Sequence, residues 1–548
     1  MTGIDSSSPE TLRSRSADNP RRPGSVGDAM LLNWMAGVLV LVFGRAPDMH
    51  DEPGDSQRPN VLFIVVDDLR PALGCYGDEI AVTPSIDRMA ERGTMFTRAY
   101  AQQAVCSPSR VSVLTGLRPD STWVWELHQQ FRRRMPEVVT LPQHFKNNGY
   151  ITVGVGKVFD HRSTGDDKAM DARSWSRPYP RITSPADDTG GFRHPAQVER
   201  ERTLGAEAER LGMTDRKERI AFVGRPSTDQ ADVADDQYRD GALAREGVRL
   251  LAELAAREQP FFLAVGFHRP HLPFAAPARY WGLYERDEFP SPVPDRLPAG
   301  AWPIHYQDSW ELRGNYTDIP PRGTEISSKD QARLAHGYYA SVSFIDAQVG
   351  KLLDELERTT AAERTIVVLW SDHGFTLGEH GMYCKHTNYE LVTRVPLIID
   401  VPGKPGNQVH DGLVELVDLF PTLSELCGLD LPNPTAGQSL VPLLNDPHQS
   451  HKPAAISQFP RRHDGQGVMG YALRTHRYRY IEWRRMTGTH GQVGDGEVVA
   501  REFYDLSDSP IELVNVVDHP DHAVPLAEVV ALARALGIGH GPVETLNP

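Results

Sequence analysis

The sequence predicts an α/β fold: a large mixed, mostly parallel sheet layered between helices, followed by a small C-terminal α+β subdomain. Three observations carry that expectation. Five short apolar runs lack the polar alternation of a half-exposed strand, as strands buried on both faces do. Segments with apolar residues at helical spacing separate these runs. After about Asp446 the pattern gives way to hairpin-like strands.

In chain order, residues 1–58 are rich in Ser, Pro, Arg, Asp and Gly, apart from an apolar run at 30–43 that follows Arg21 and Arg22. That run is short for a membrane span and suits the centre of an export signal, with an uncleaved anchor or an upstream start as the other readings. An exported protein is therefore expected, whether periplasmic, extracellular or membrane-anchored. The main domain is placed at 59–446 and the smaller one at 447–548.

The five predicted strands lie at 61–66, 151–156, 261–267, 365–370 and 396–399. The first stops at Asp67-Asp68, the second at Lys157, the third at His268 with His271 close behind, the fourth at Ser371-Asp372-His373, and the fifth at Asp400 alone. Ligands of open α/β sheets bind outside the carboxyl ends of the strands, so four of the five deliver polar groups to one rim. Helices are predicted over 85–92, 141–147, 240–257, 329–358 and 414–427, the fourth as a crossover into the strand at 365. Residues 160–232 and 290–323, dense in Pro, Gly, Arg and Asp, are read as ordered loops bordering the cleft. Strands at 477–483 and 501–506 and a last helix at 524–536 complete the chain.

Composition narrows the function classes. A chain of 548 residues with net charge -15 is not a general nucleic-acid binder, which is normally basic, although local cations can still serve an anionic substrate. Cys75, Cys106, Cys384 and Cys427 are too few and too scattered for a disulfide scaffold, and none lies at zinc-finger spacing.

The most informative stretch is Cys106-Ser107-Pro108-Ser109-Arg110, followed by Leu114-Thr115-Gly116. Pro favours the first turn of a helix, so a helix is expected to open near Ser107-Pro108, its free amides beside Cys106. Arg110 adds a planar fork of donors. Two readings fit the residues: a partly buried cysteine at a helix start, or a thiolate nucleophile with a lowered pKa, with His128 or His144 as partners in space.

Asp67-Asp68 and Asp372-His373 could each be plain turn or capping residues. At equivalent ends of neighbouring strands they would repel one another, which favours a cation between them, and oxygen-rich ligation suits Ca²⁺ or Mg²⁺. His268, Arg269 and His271 could be structural hydrogen-bonders, and Lys157 and Lys385 surface charges, but all stand beside these motifs.

Taken together, the Cys106 motif with segments 60–69, 74–78, 101–106, 156–159, 261–274, 341–353 and 371–402 resembles the formylglycine-dependent (type I) sulfatases, and within them the iduronate 2-sulfatases. The resemblance implies an alkaline-phosphatase-like sandwich and hydrolysis of sulfate esters on a carbohydrate of the uronic acid 2-sulfate kind. It further implies a formylglycine made from Cys106 by a formylglycine-generating enzyme. Ca²⁺, rather than Mg²⁺, would be held by Asp67, Asp68, Asp372, His373 and the modified Cys106. Arg110, Lys157, His271 and Lys385 would correspond to residues that hold formylglycine and sulfate. The chain departs from the family pattern where a histidine follows Lys157: Asp160 takes that place, and His161 is a catalytic candidate by a one-residue shift. Two other functions stay open on the same scaffold, a phosphate or phosphonate ester hydrolase and a non-catalytic binder of sulfated glycans.

Overall fold

A computed structural model describes residues 58–538 except 167, 169, 447 and 487–495. The apolar run at 30–43 lies outside the described residues, and no helix among them is long and apolar enough to cross a membrane.

The centre of the molecule is the strand Asn60–Asp67, in which every residue is buried. Val61, Phe63 and Val65 enter the hydrophobic core on one face of the sheet, while Leu62, Ile64 and Val66 enter the core on the other. An unbroken apolar run is what such a position requires, since side chains alternate between faces and both faces are dry. Burying one such side chain stabilises the fold by roughly 1.5–3 kcal/mol, so the run alone accounts for much of the sheet's anchorage.

The main sheet has eight strands. Along its path run Arg394–Val395, Thr94–Tyr100, Leu397–Asp400, Thr365–Ser371, Asn60–Asp67, Phe261–Pro270 and Ile151–Gly156, with Gln408–Glu415 paired to Thr94–Tyr100. The four consecutive strands from Thr365–Ser371 to Ile151–Gly156 are parallel, whereas Leu397–Asp400 runs antiparallel to its neighbours. All five predicted strands are present, and the sheet is mixed and mostly parallel as expected. The 30-residue helix Ser328–Glu357 packs on one face and holds its neighbour through Asp346, whose carboxylate accepts from the first amides of the helix Pro84–Arg92, Ser85 N and Ile86 N. That carboxylate satisfies amides that have no partner within their own helix.

Three expectations change. Residues 414–427 are not one helix: Val414 and Glu415 end the strand Gln408–Glu415, and only Leu419–Leu426 is α-helical. Glu415 and Asp418 form a capping box that starts a new element there, a local signal stronger than the apolar spacing. The strand Thr94–Tyr100 escaped notice because Thr97 and Arg98 interrupt its apolar character. The stretch 160–232 is not all loop; it carries the helices Pro195–Arg200, Ala206–Arg210 and Arg216–Val223 and the strand Thr228–Ala231.

The C-terminal region is a four-stranded antiparallel sheet, Ala455–His463, Gln466–Arg474, Tyr478–Arg485 and Val498–Asp505, followed by the helix Ala523–Ala535. Its second pair is the hairpin expected from the sequence. The fold class is thus α/β with a small C-terminal sheet domain.

Candidate active site

The helix Cys106–Thr115 begins at Cys106 itself, two residues before Pro108, and all ten of its residues are buried. Its first turn faces the carboxyl ends of the two central strands. Arg110 is the hub: Nε donates to Asp372 Oδ2 and Nη2 to Asp67 Oδ1, each at 2.9 Å, and Nη1 donates to the carbonyls of Lys157 and Val158. The guanidinium therefore ties together the ends of three strands. Two glycines make this possible. A side chain at Gly266 would come within 2.2 Å of the Lys157 carbonyl, and Gly156, at φ +79°, turns the chain where a Cβ would lie 2.1 Å from the Gly266 carbonyl.

Lys157 Nζ donates to Asp67 Oδ2 at 2.5 Å and reaches Cys106 Sγ at 3.3 Å. His373 Nε2 lies 3.4 Å from the same sulfur and 3.4 Å from Asp68 Oδ1. On the other side, Lys385 Nζ donates to both oxygens of Asp68, at 3.1 and 2.9 Å, and to Glu311 at 3.0 Å. Glu311 also pairs with His271 Nε2 at 3.0 Å, and the second ring nitrogen of His271 lies 2.8 Å from the Leu272 carbonyl. Asp68, Cys384 and His386 all hold positive φ, at 63°, 75° and 77°. Left-handed backbone in non-glycine residues costs of order 1–3 kcal/mol each and gathers at functional sites, here flanking Lys385.

The electrostatics follow from burial. Burial raises the Asp67 carboxyl, but Lys157 and Arg110 outweigh it and hold the acid well below its ordinary value. Burial also drives the Cys106 thiol well above its ordinary value, and the Asp67 charge pushes the same way. This opposes the thiolate reading: the lowering by Lys157 and Lys385 does not prevail, and His144 stacks on Phe420 in the core, at 5.6 Å. For Lys385, burial favours the neutral amine, yet Asp68 and Glu311 hold its pKa well above the usual lysine range.

Asp67, Cys106, Asp372 and His373 present ligand atoms within 4.8 Å of one another, as do Asp67, Asp68, Cys106 and His271. Buried carboxylate oxygens with an imidazole are a donor set that fits a divalent cation. The repulsion expected between the two acidic strand ends is met in part by the protein's own Arg110, Lys157 and Lys385.

All the expected site residues converge here except His161, whose side chain is 58% exposed and lies 4.0 Å from Asp160 Oδ1. Asp160 is buried instead, capping the short helix His161–Thr164 and pairing with Arg162 at 2.6 Å and Lys157 at 3.9 Å. His268 is held by Asp240, through its backbone amide at 2.7 Å, and stands outside the cluster. Glu311 was not anticipated. It lies on the short helix Trp310–Arg313, within the stretch 290–323 expected to be loop, and nothing local in Trp310-Glu311-Leu312-Arg313 marks it out.

The sulfatase family profile matches residues 59–429, and a profile for the C-terminal part of N-sulphoglucosamine sulphohydrolase matches 378–532. Iduronate 2-sulfatase of Mus musculus is 34% identical over 532 residues, covering 84% of this chain and 91% of its own. Among solved structures, a 2-O GAG sulfatase superposes with TM-score 0.62 at 24% identity, covering 87% of this chain and 92% of its own. The phosphonate monoester hydrolase of Agrobacterium radiobacter gives TM-score 0.66 at 22% identity, covering 87% and 95%. These two establish the alkaline-phosphatase-like fold, which serves both ester chemistries. The family match over most of the chain decides between them: this protein belongs to the sulfatase family and is a sulfuric ester hydrolase.

Proposed function

We propose that the chain removes sulfate from a carbohydrate of the uronic acid 2-sulfate kind, using a formylglycine derived from Cys106 and a bound divalent cation, Ca²⁺ before Mg²⁺. The observation that carries this reading is the surroundings of Cys106 Sγ: Lys157 Nζ at 3.3 Å, His373 Nε2 at 3.4 Å, and a thiol whose ionisation is suppressed. A poor thiolate in a site built for charge suits a residue whose working form is not the thiol.

When present, formylglycine supplies a hydrated aldehyde oxygen as nucleophile, and the cation supplies Lewis acidity. Asp67, Asp68, Asp372 and His373 are the residues that would hold the cation. The chain's own groups do the rest. Arg110, with its nitrogens committed to two carboxylates and two carbonyls, fixes the carboxylates in place rather than reaching out to substrate. Lys157 and Lys385 bring positive charge to the sulfate oxygens, where charge develops on the way to the transition state. His271 and Lys385, joined through Glu311, are placed to deliver a proton to the leaving sugar oxygen. We assign His161 no part in this, since its place is taken by the Asp160–Lys157 and Asp160–Arg162 pairs.

All ten residues of the helix Cys106–Thr115 are buried, so a formylglycine-generating enzyme must act on the chain before it folds. We also read residues 30–43 as an export signal. The test is sulfate release from a panel of sulfated sugars by protein co-expressed with a formylglycine-generating enzyme, alongside an aryl phosphonate. Release from a uronic acid 2-sulfate supports the reading; faster turnover of the phosphonate contradicts it.

A further inference from the structure

Arg461 lies on the strand Ala455–His463 of the small sheet, yet its guanidinium reaches the segment that carries Lys385. Nη2 donates to the His386 carbonyl, Nε to the Ile304 carbonyl at 3.2 Å, and Nη1 to the Pro460 carbonyl at 3.4 Å. Every acceptor is a neutral carbonyl. Burial alone pushes the Arg461 pKa down to about 10, with no acid of the described chain acting against it.

This separates Arg461, which is half-buried, from the other inward-facing arginines. Arg110 pairs with Asp67 and Asp372, Arg118 with Glu415, and Arg474 and Arg479 with Glu390. A partly desolvated cation without a counter-ion is satisfied best by an anion that arrives from outside. One N–H on each terminal nitrogen is left over, and a planar guanidinium with a donor on each nitrogen matches a carboxylate.

The surroundings place that partner. The guanidinium lies over Phe459, 4.5 Å from the ring centre; Phe459 packs edge-on to His386 at 5.9 Å, and His386 packs on Trp310 at 4.8 Å. Trp310, 38% exposed, directly precedes Glu311, and His386 directly follows Lys385. His386 is itself buried with Nδ1 lacking any hydrogen-bond partner. A packed aromatic row, of which Trp310 is the exposed member, thus runs from beside Lys385 to Arg461, with the spare N–H groups of Arg461 and the unpartnered Nδ1 of His386 along it. The exposed ring of Trp310 suits the apolar face of a sugar ring.

We propose that Arg461, assisted by His386, is the specificity residue that holds a carboxylate on the same sugar that carries the sulfate ester. The assignment rests on the carbohydrate sulfatase reading above. Because Arg461 is bonded to the residue next to Lys385, the two anions fall within one sugar unit rather than on distant parts of a polymer.

The test compares kcat/KM for sulfate release from a uronic acid 2-sulfate glycoside and from its carboxyl-reduced analogue, with a disulfated amino sugar as a third substrate. The wild type is expected to favour the carboxylate on the order of 10–100-fold, the range lost with one hydrogen bond to a charged group. Arg461→Gln brings the ratio to about one, and Arg461→Lys, which keeps charge without the fork, falls between and serves if the Gln variant does not fold. General structural damage lowers both rates and leaves their ratio unchanged. An unchanged ratio in either variant overturns the proposal, as does a wild-type ratio near one or a preference for the disulfated sugar. Turnover of aryl sulfates with none of the three sugars cleaved overturns the carbohydrate reading itself, and this proposal with it.

Discussion

Arg110 Nη2 donates to Asp67 Oδ1 across 2.9 Å, with 0% of one side chain and 1% of the other exposed. The same guanidinium holds Asp372, so its removal leaves two buried carboxylates short of their counter-charge. Breaking a buried pair in this way costs about 3–5 kcal/mol. Arg110→Ala should therefore unfold in clearly less denaturant than the wild type, and Arg110→Lys should recover only part of the loss because it cannot bridge both acids. Equal midpoints for Arg110→Ala and wild type would refute this role.

Glu311 joins His271 to Lys385, and both candidate proton donors depend on it for placement. Glu311→Gln keeps the shape but removes the charge. General acid assistance contributes roughly 10²–10⁴-fold, and it matters most where the leaving oxygen is a poor leaving group. Sulfate release from sugars should fall by at least about tenfold more than release from nitrophenyl sulfate. A uniform loss on both substrates would mean Glu311 has only a structural part.

Stability should vary with pH in two opposed ways. Burial raises the Asp346 carboxyl to about 6, against the helix-terminal amides of Ser85 and Ile86 that favour its ionised form. An acid whose folded value exceeds its unfolded value of about 3.9 makes the folded state hold the proton more tightly. Stability is then full below about pH 4 and declines until about pH 6, by about 3 kcal/mol. Asp346→Asn should flatten that decline. Glu390 shows the reverse: burial raises it, but Arg474 and Arg479 prevail and bring it down to about 2. Its contribution is present above about pH 4.5 and is lost as pH falls toward 2, so Glu390→Gln should remove part of the acid sensitivity. Denaturant midpoints taken across pH 2–7 read both effects.

Under the proposed formylglycine reading, burial of the Cys106–Arg110 turn requires conversion before folding. Protein co-expressed with a formylglycine-generating enzyme should lose sulfur at position 106, whereas folded protein incubated with the same enzyme should keep its thiol. Mass spectrometry of the peptide containing residue 106 distinguishes the two, and conversion of the folded protein would show that this turn opens.

Much of this candidate site is legible in local sequence because its polar groups sit at strand ends. Runs such as 61–66 and 365–370 announce buried parallel strands, and the residues that follow them, Asp67-Asp68 and Asp372-His373, must then share a rim. Cys106, Pro108 and Arg110 lie within one turn, so their mutual geometry is nearly fixed by the helix. Glu311 and Arg461 were not legible, for a physical reason. Each earns its place through partners far away in the chain, Glu311 with Lys385 74 positions on and Arg461 with His386 75 positions back, and no local pattern encodes such a meeting. His161 shows the converse: residue type and position in the chain suggested a role, whereas Asp160 caps a short helix there and the His161 side chain is largely exposed.

The central claim is that Cys106 works as a formylglycine and not as a thiol. The most direct measurement is sulfate release across preparations in which the converted fraction at position 106, read by mass spectrometry, is varied by co-expression. Activity should rise in proportion to that fraction and vanish in Cys106→Ala. Full activity in protein whose residue 106 is an unmodified cysteine would contradict the account.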